Sequence, residues 1–121
     1  MDKQILIVDD SSSMREMVKL TLAEAGYAVV EAENGEEALG QLSKNSVNMV
    51  LTDLNMPVMD GMELIRSIRK QEDNKFLPIV MLTTESEISK KEEGRSAGAN
   101  GWLVKPFVPE KLLMVVKKVV G

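Results

Sequence analysis

Cysteine and histidine are both absent from this sequence of 121 residues. Without cysteine there can be no disulfide and no thiolate metal site. Without histidine the chain offers no imidazole nucleophile, no histidine general base and no phosphohistidine of its own. Aromatic residues are only 3% of the total, and the net charge is −4 with no basic stripe, which argues against direct nucleic-acid binding. Long apolar runs are missing as well. The first, Ile5-Leu6-Ile7-Val8, is far too short for a signal peptide or a membrane span, so no membrane insertion and a cytoplasmic location are expected. Any chemistry falls to carboxylates, hydroxyls, lysines and a bound metal.

What is present is ordinary in bulk, 44% hydrophobic and 28% charged, at a length typical of one domain with one core. Two kinds of segment alternate along it. Ile5 to Val8, Met49 to Leu51, Ile79 to Leu82 and Trp102 to Val104 are short continuous apolar runs, as expected of strands buried on both faces of a parallel sheet. Tyr27 to Glu31 is a weaker run that suits an edge strand. Between them, Met14, Met17, Val18, Leu22 and Ala25 form a helical stripe that Gly26 ends. Ala38, Leu39 and Leu42 mark a second helix, Leu64, Ile65 and Ile68 a third, and Leu112, Leu113, Val116 and Val120 a fifth. The fourth, Ser86 to Ala97, has Ile88 as its only large apolar residue and contains Gly94, so it reads as a marginal helix with an adjustable surface. Five β–α repeats with right-handed crossovers give one parallel sheet with helices on both faces, and a single domain over residues 1–121.

The polar residues that matter fall at one end of these strands. Asp9-Asp10 follow the first, Asp53 the third, Thr83-Thr84 the fourth and Lys105 the fifth, and ligand sites in open α/β sheets lie at that edge. Taken singly, each has a plainer explanation. Asp10 can cap the helix starting near Ser11, Asp53 can open the turn at Asn55-Met56-Pro57, the threonines can simply end a strand, and Lys105 can be a solvated turn residue. Their convergence points further. Three carboxylates within a few ångströms repel one another unless a cation intervenes, and Mg²⁺ prefers a few carboxylates plus waters and phosphate oxygens. The residues themselves therefore suggest a small acidic Mg²⁺ site that handles phosphate.

These same residues resemble a known family. Asp9-Asp10, Asp53 within Asp53-Leu54-Asn55-Met56-Pro57-Val58-Met59-Asp60-Gly61, Thr83 and Lys105-Pro106 are similar to the signature of response-regulator receiver domains, over essentially the whole chain. The resemblance implies a flavodoxin-like (βα)5 fold with the strand order 2-1-3-4-5 known for that family. It implies that Asp53 accepts a phosphoryl group from a sensor histidine kinase or a small phosphodonor. Asp10, Asp53 and the carbonyl of Asn55 would hold Mg²⁺, with Asp9 acting through water. Lys105 would pair with a phosphoryl oxygen and Thr83 would hydrogen-bond another, with the Lys105-Pro106 bond expected cis. The implied switch moves Thr83 toward phosphate and turns the aromatic Trp102 inward, changing the surface of the fourth helix, fifth strand and fifth helix.

Several positions set this chain apart within the family pattern. The switch aromatic is usually Tyr or Phe, so Trp102 is expected to bury incompletely. Thr84 is bulkier than the usual small residue there, and Leu54 stands where some chemotaxis receivers carry tryptophan. Asn55 and Glu85 occupy two positions that tune dephosphorylation, a pairing similar to that of CheY-like single-domain chemotaxis regulators. The expected role is thus a monomeric phosphorylation-activated switch in a two-component system, with a target such as the flagellar motor switch and no catalysis beyond its own phosphorylation and dephosphorylation. A phosphorelay intermediate is the nearest rival. A Mg²⁺-dependent aspartyl phosphatase is disfavoured, because the general acid/base such enzymes carry two residues after the nucleophile is here Asn55.

Overall fold

The computed structural model describes residues 3–121, the side chain of Glu85 excepted. Five strands, β1 (Gln4–Val8), β2 (Ala28–Ala32), β3 (Met49–Asp53), β4 (Ile79–Thr84) and β5 (Gly101–Lys105), alternate with five helices, α1 (Ser12–Glu24), α2 (Gly35–Lys44), α3 (Gly61–Arg69), α4 (Lys91–Ala97) and α5 (Pro109–Val120). All the pairings are parallel and the order is β2-β1-β3-β4-β5, the flavodoxin-like arrangement expected.

Strand alternation builds two cores, one on each face of the sheet. Leu6, Val8, Val50 and Met81 point to the face covered by α2 and α3, where Ala38, Leu64, Ile65 and Ile68 are buried. Ile5, Ile7, Leu51, Val80 and Leu82 point to the other, against Val18 and Leu22 of α1 and Leu112 and Val116 of α5. Side-chain caps fix where the helices begin: Ser11 Oγ accepts from the Met14 amide, Asn34 Oδ1 from that of Glu37 and Asp60 Oδ1 from that of Glu63. Pro109, at the first position of α5, gives up an amide that would have gone unpaired.

Three expectations need correction at their edges. The second strand runs one residue later than expected, over Ala28–Ala32, because Tyr27 is drawn out of the ladder into the core. Ala25 is exposed and lies beyond the apolar stripe, as the C-cap of α1, with Gly26 turning the chain at φ 94°. The fourth helix is not one element. A 3₁₀ segment, Glu85–Lys90, precedes a short α4 in which Gly94 is the only buried residue. By contrast α3 buries Met62, Leu64, Ile65 and Ile68, each worth about 1.5–3 kcal/mol when withdrawn from water. Gly94 is not an idle cost, since a Cβ there would lie 2.1 Å from Met81 Sδ: the glycine lets α4 approach the sheet.

Candidate functional site

The carboxyl ends of β1, β3, β4 and β5 gather the polar residues singled out above. Asp9 directly follows β1 and is almost fully buried; its Oδ1 accepts from the Ser11 amide at 2.9 Å and its Oδ2 from Lys105 Nζ at 3.1 Å. Asp10 is exposed, and Ser11 rather than Asp10 caps α1, so the capping explanation of Asp10 does not hold. Asp53 is the last residue of β3. Its Oδ1 accepts from the Leu54 amide at 2.8 Å and lies 3.3 Å from Lys105 Nζ. Lys105, the last residue of β5, precedes Pro106 through a cis bond, as expected. The loop after β3 packs closely enough that a Cβ on Gly61 would lie 2.2 Å from the Asp53 carbonyl oxygen.

Asp9, Asp10 and Asp53 each offer a carboxylate oxygen, all within 4.8 Å of one another. Two like charges at that spacing repel by roughly 3 kcal/mol at an effective dielectric constant near 20. Burial pushes the Asp53 carboxyl above the ordinary carboxylate range; the Lys105 ammonium pulls it down, Asp9 pushes it up, and the Leu54 amide offsets only part. Burial would lower Lys105, yet Asp53 and Asp9 together hold it above the usual lysine value. One lysine against three carboxylates leaves the cluster negative. An all-oxygen donor set with one member open to solvent fits a hard divalent cation that keeps part of its hydration shell.

The neighbouring positions are equally specific. Thr83 is fully buried and its Oγ1 has no hydrogen-bond partner among the described residues, an unusual state for a buried hydroxyl. Thr84 Oγ1 lies 2.9 Å from Ser86 Oγ, and the Asn55 side-chain amide donates to Glu87 Oε2. Trp102 is half-buried beside α4, with Lys91 Nζ 4.3 Å and Arg95 Cζ 5.8 Å from its ring centroid. The tuning role expected of the Glu85 side chain falls outside the described residues.

Two residues at this edge escaped the sequence reading. Arg15, on the first turns of α1 with a side chain only 12% exposed, donates to the Asp9 carbonyl at 2.6 Å and to Glu31 Oε1 at 3.1 Å, tying β1 to β2 where the site begins. Nothing in its spacing separates it from a solvated helix charge. Glu87 is a buried carboxylate whose Oε1 accepts from the Thr84 amide at 2.9 Å. Here a signal existed, because Thr84-x-x-Glu87 is the pattern of a capping box.

The response regulator receiver domain family matches residues 5–117. The chain belongs to that family. This receiver is 42% identical over 120 residues to a chemotaxis protein CheY homolog of Campylobacter jejuni, covering 98% of this chain and 92% of the relative. It is 42% identical to chemotaxis protein CheY1 of Helicobacter pylori, with 98% and 97% covered. Among solved structures, chemotaxis response regulator CheY4 of Vibrio cholerae superposes with a TM-score of 0.93 at 49% identity, covering 98% of this chain and 99% of that one. Membership makes this receiver a phosphorylation-activated element of two-component signalling and places it in no enzyme family. Among the described residues, no helix of the receiver is long and apolar enough to cross a membrane.

Proposed function

We propose that Asp53 is the phosphoacceptor of a cytoplasmic, monomeric receiver, taken as residues 1–121, that works in chemotaxis. The observation that carries this reading is the Asp53 carboxylate at the end of β3, with Lys105 Nζ 3.3 Å away and the Asp9 and Asp10 carboxylates beside it. One Asp53 oxygen attacks the phosphorus of a phosphohistidine on a sensor histidine kinase. The P–N bond breaks, its electron pair stays with the imidazole, and an acyl phosphate forms. Lys105 pairs with a phosphoryl oxygen and the Thr83 hydroxyl, without a partner among the described residues, donates to another, so the chain works by positioning and charge compensation. Asp10, Asp53 and the Asn55 carbonyl would hold Mg²⁺, with Asp9 acting through water. When bound, the ion supplies neutralisation of the carboxylates and of the charge on the transferring group.

Thr83 reaches toward the phosphoryl group, Trp102 turns inward and the α4-β5-α5 surface changes, a population shift biased by a few bonds. The scant burial of α4 supports this, because a movable element must be weakly held. The chemotaxis role, with a target such as the flagellar motor switch, rests on the relatives named as chemotaxis proteins. Self-catalysis is limited to Asp53 phosphorylation and dephosphorylation, with Asn55, Thr84 and Glu85 tuning the lifetime.

The test is incubation with Mg²⁺ and acetyl phosphate, following intact mass and Trp102 fluorescence beside the Asp53→Asn variant. An adduct on the native chain only, with a changed fluorescence, is the expected result. Equal labelling of Asp53→Asn overturns the assignment.

A further inference from the structure

Glu87 is the one buried carboxylate outside the acidic cluster among the described residues, and none of the salt bridges among those residues involves it. A buried carboxylate persists only when donors surround it. Here they come from two different segments. Oε1 accepts from the Thr84 amide at 2.9 Å and from Thr84 Oγ1 at 3.1 Å, while Oε2 accepts from the Asn55 side-chain amide. The sheet register shows what these segments are. Asp53 pairs with Leu82 as the last rung between β3 and β4. Asn55 stands two residues beyond that rung in the loop leaving β3, and Thr84, two residues beyond it on the other side, is the last residue of β4, paired with Lys105 of β5.

We infer that Glu87 is a positioning residue: it clasps the outgoing ends of β3 and β4 across the phosphorylation site and sets the lifetime of the phosphoryl group through Asn55. The inference rests on the reading of Asp53 as phosphoacceptor and adds a control to that same site. A capping role alone accounts for the bonds to Thr84 but not for the bond to Asn55, 32 residues away in sequence. An Asn55 amide held by Glu87 is not free to orient a water for attack at Asp53. The clasp also restrains Thr84, next to the threonine that must move on activation. Loss of Glu87 therefore frees the amide and loosens the lip, and both effects favour hydrolysis.

The experiment compares Glu87→Ala, Glu87→Gln, Asn55→Ala and the double variant Glu87→Ala/Asn55→Ala. In the unphosphorylated protein, NMR follows the Asn55 side-chain amide resonances and the exchange of the Thr84 backbone amide. Glu87→Ala is expected to shift the Asn55 resonances and to speed Thr84 exchange by about tenfold or more, the loss of a hydrogen bond to a charged acceptor. After loading with acetyl phosphate and Mg²⁺, the lifetime of the adduct is measured by intact mass. Glu87→Ala shortens it several-fold. Glu87→Gln stays close to the native lifetime, because a glutamine spans both segments once the Asn55 amide turns over. The double variant matches Asn55→Ala alone.

Unmoved Asn55 resonances in Glu87→Ala overturn the clasp. Equal proportional effects of Glu87→Ala with and without Asn55 reduce Glu87 to a cap and overturn the inference. If the native chain takes no phosphoryl group under any donor, the assignment of Asp53 falls and the lifetime control falls with it, while the NMR arm still decides whether the clasp exists.

Discussion

Replacing Lys105 with methionine keeps the length of the side chain and removes its charge from between Asp9 and Asp53. The ammonium lies 3.1 Å from Asp9 Oδ2 and 3.3 Å from Asp53 Oδ1. Stripping one partner from a fully buried pair costs about 3–5 kcal/mol, and the 15% exposure of the Lys105 side chain lowers the expectation to about 2–3 kcal/mol. For a chain of 121 residues this is a fall of roughly 6–15 °C in Tm. The pH dependence has a definite sign. Asp53 is raised in the folded state, chiefly by burial, so its protonation favours the fold and its ionisation at neutral pH is a cost that Lys105 partly offsets. Removing Lys105 raises Asp53 further.

The penalty of Lys105→Met is therefore greatest near neutrality and shrinks as pH falls through the raised Asp53 titration. Lys105 is itself raised, so the stability that its charge contributes is lost as pH climbs through its folded value, and the two proteins converge again in alkali. Millimolar Mg²⁺ should also narrow the gap, by restoring positive charge to the cluster. Urea unfolding of both proteins across pH, with and without Mg²⁺, measures all three effects. A penalty independent of pH and Mg²⁺, or no penalty at pH 7, refutes the view of Lys105 as the counter-ion of this site.

Three further predictions address other parts of the site. Gly61→Ala forces a Cβ against the Asp53 carbonyl oxygen and the backbone around it, which cannot give way like a flexible side chain, and should cost about 1–3 kcal/mol or more in urea melts while slowing phosphorylation of Asp53 by acetyl phosphate. Val58, a β-branched and exposed residue at φ 70°, carries left-handed strain of about 1–2 kcal/mol; Val58→Asn should recover part of it as a higher urea midpoint with unchanged slope, and an unchanged midpoint would refute the strain. Lys91→Ala removes the cation 4.3 Å from the Trp102 ring, worth about 0.5–1 kcal/mol, and should alter Trp102 fluorescence in the unphosphorylated protein without changing its oligomeric state.

The strands and the acidic edge were legible because they rest on strong local signals. Continuous Ile and Val runs leave few alternatives to buried strands, and the motif residues sit immediately after them, so the sheet carries Asp9, Asp53 and Lys105 together once its order is known. The region from Thr84 to Ala97 was legible only in outline. Its weakness followed from having one large apolar residue, but its division into a 3₁₀ segment and a short helix depends on Glu87 reaching back to Thr84 and across to Asn55. Arg15 and Glu87 were missed for a shared reason. A charged side chain in a polar stretch reads as solvated; the local capping box could have flagged Glu87, but its reach to Asn55, like the burial of Arg15, depends on the tertiary arrangement.

On the proposed reading, that same region lets a single phosphoryl group bias the fold. Among the described residues the Thr83 hydroxyl is buried without a partner, a state that costs about 1–3 kcal/mol. On the proposed reading this cost is relieved when a phosphoryl oxygen accepts from it, which alone changes a two-state ratio by roughly 5- to 150-fold. Opposing the change are the Glu87 clasp and the cations over Trp102, because α4 itself buries no large apolar side chain. The opposing terms are of the same order as the gain, whereas an element anchored like α3, with four large buried side chains, would outweigh it. On that reading, the poverty of α4 in apolar residues is what lets one bond from the Thr83 hydroxyl to the phosphoryl group bias its position.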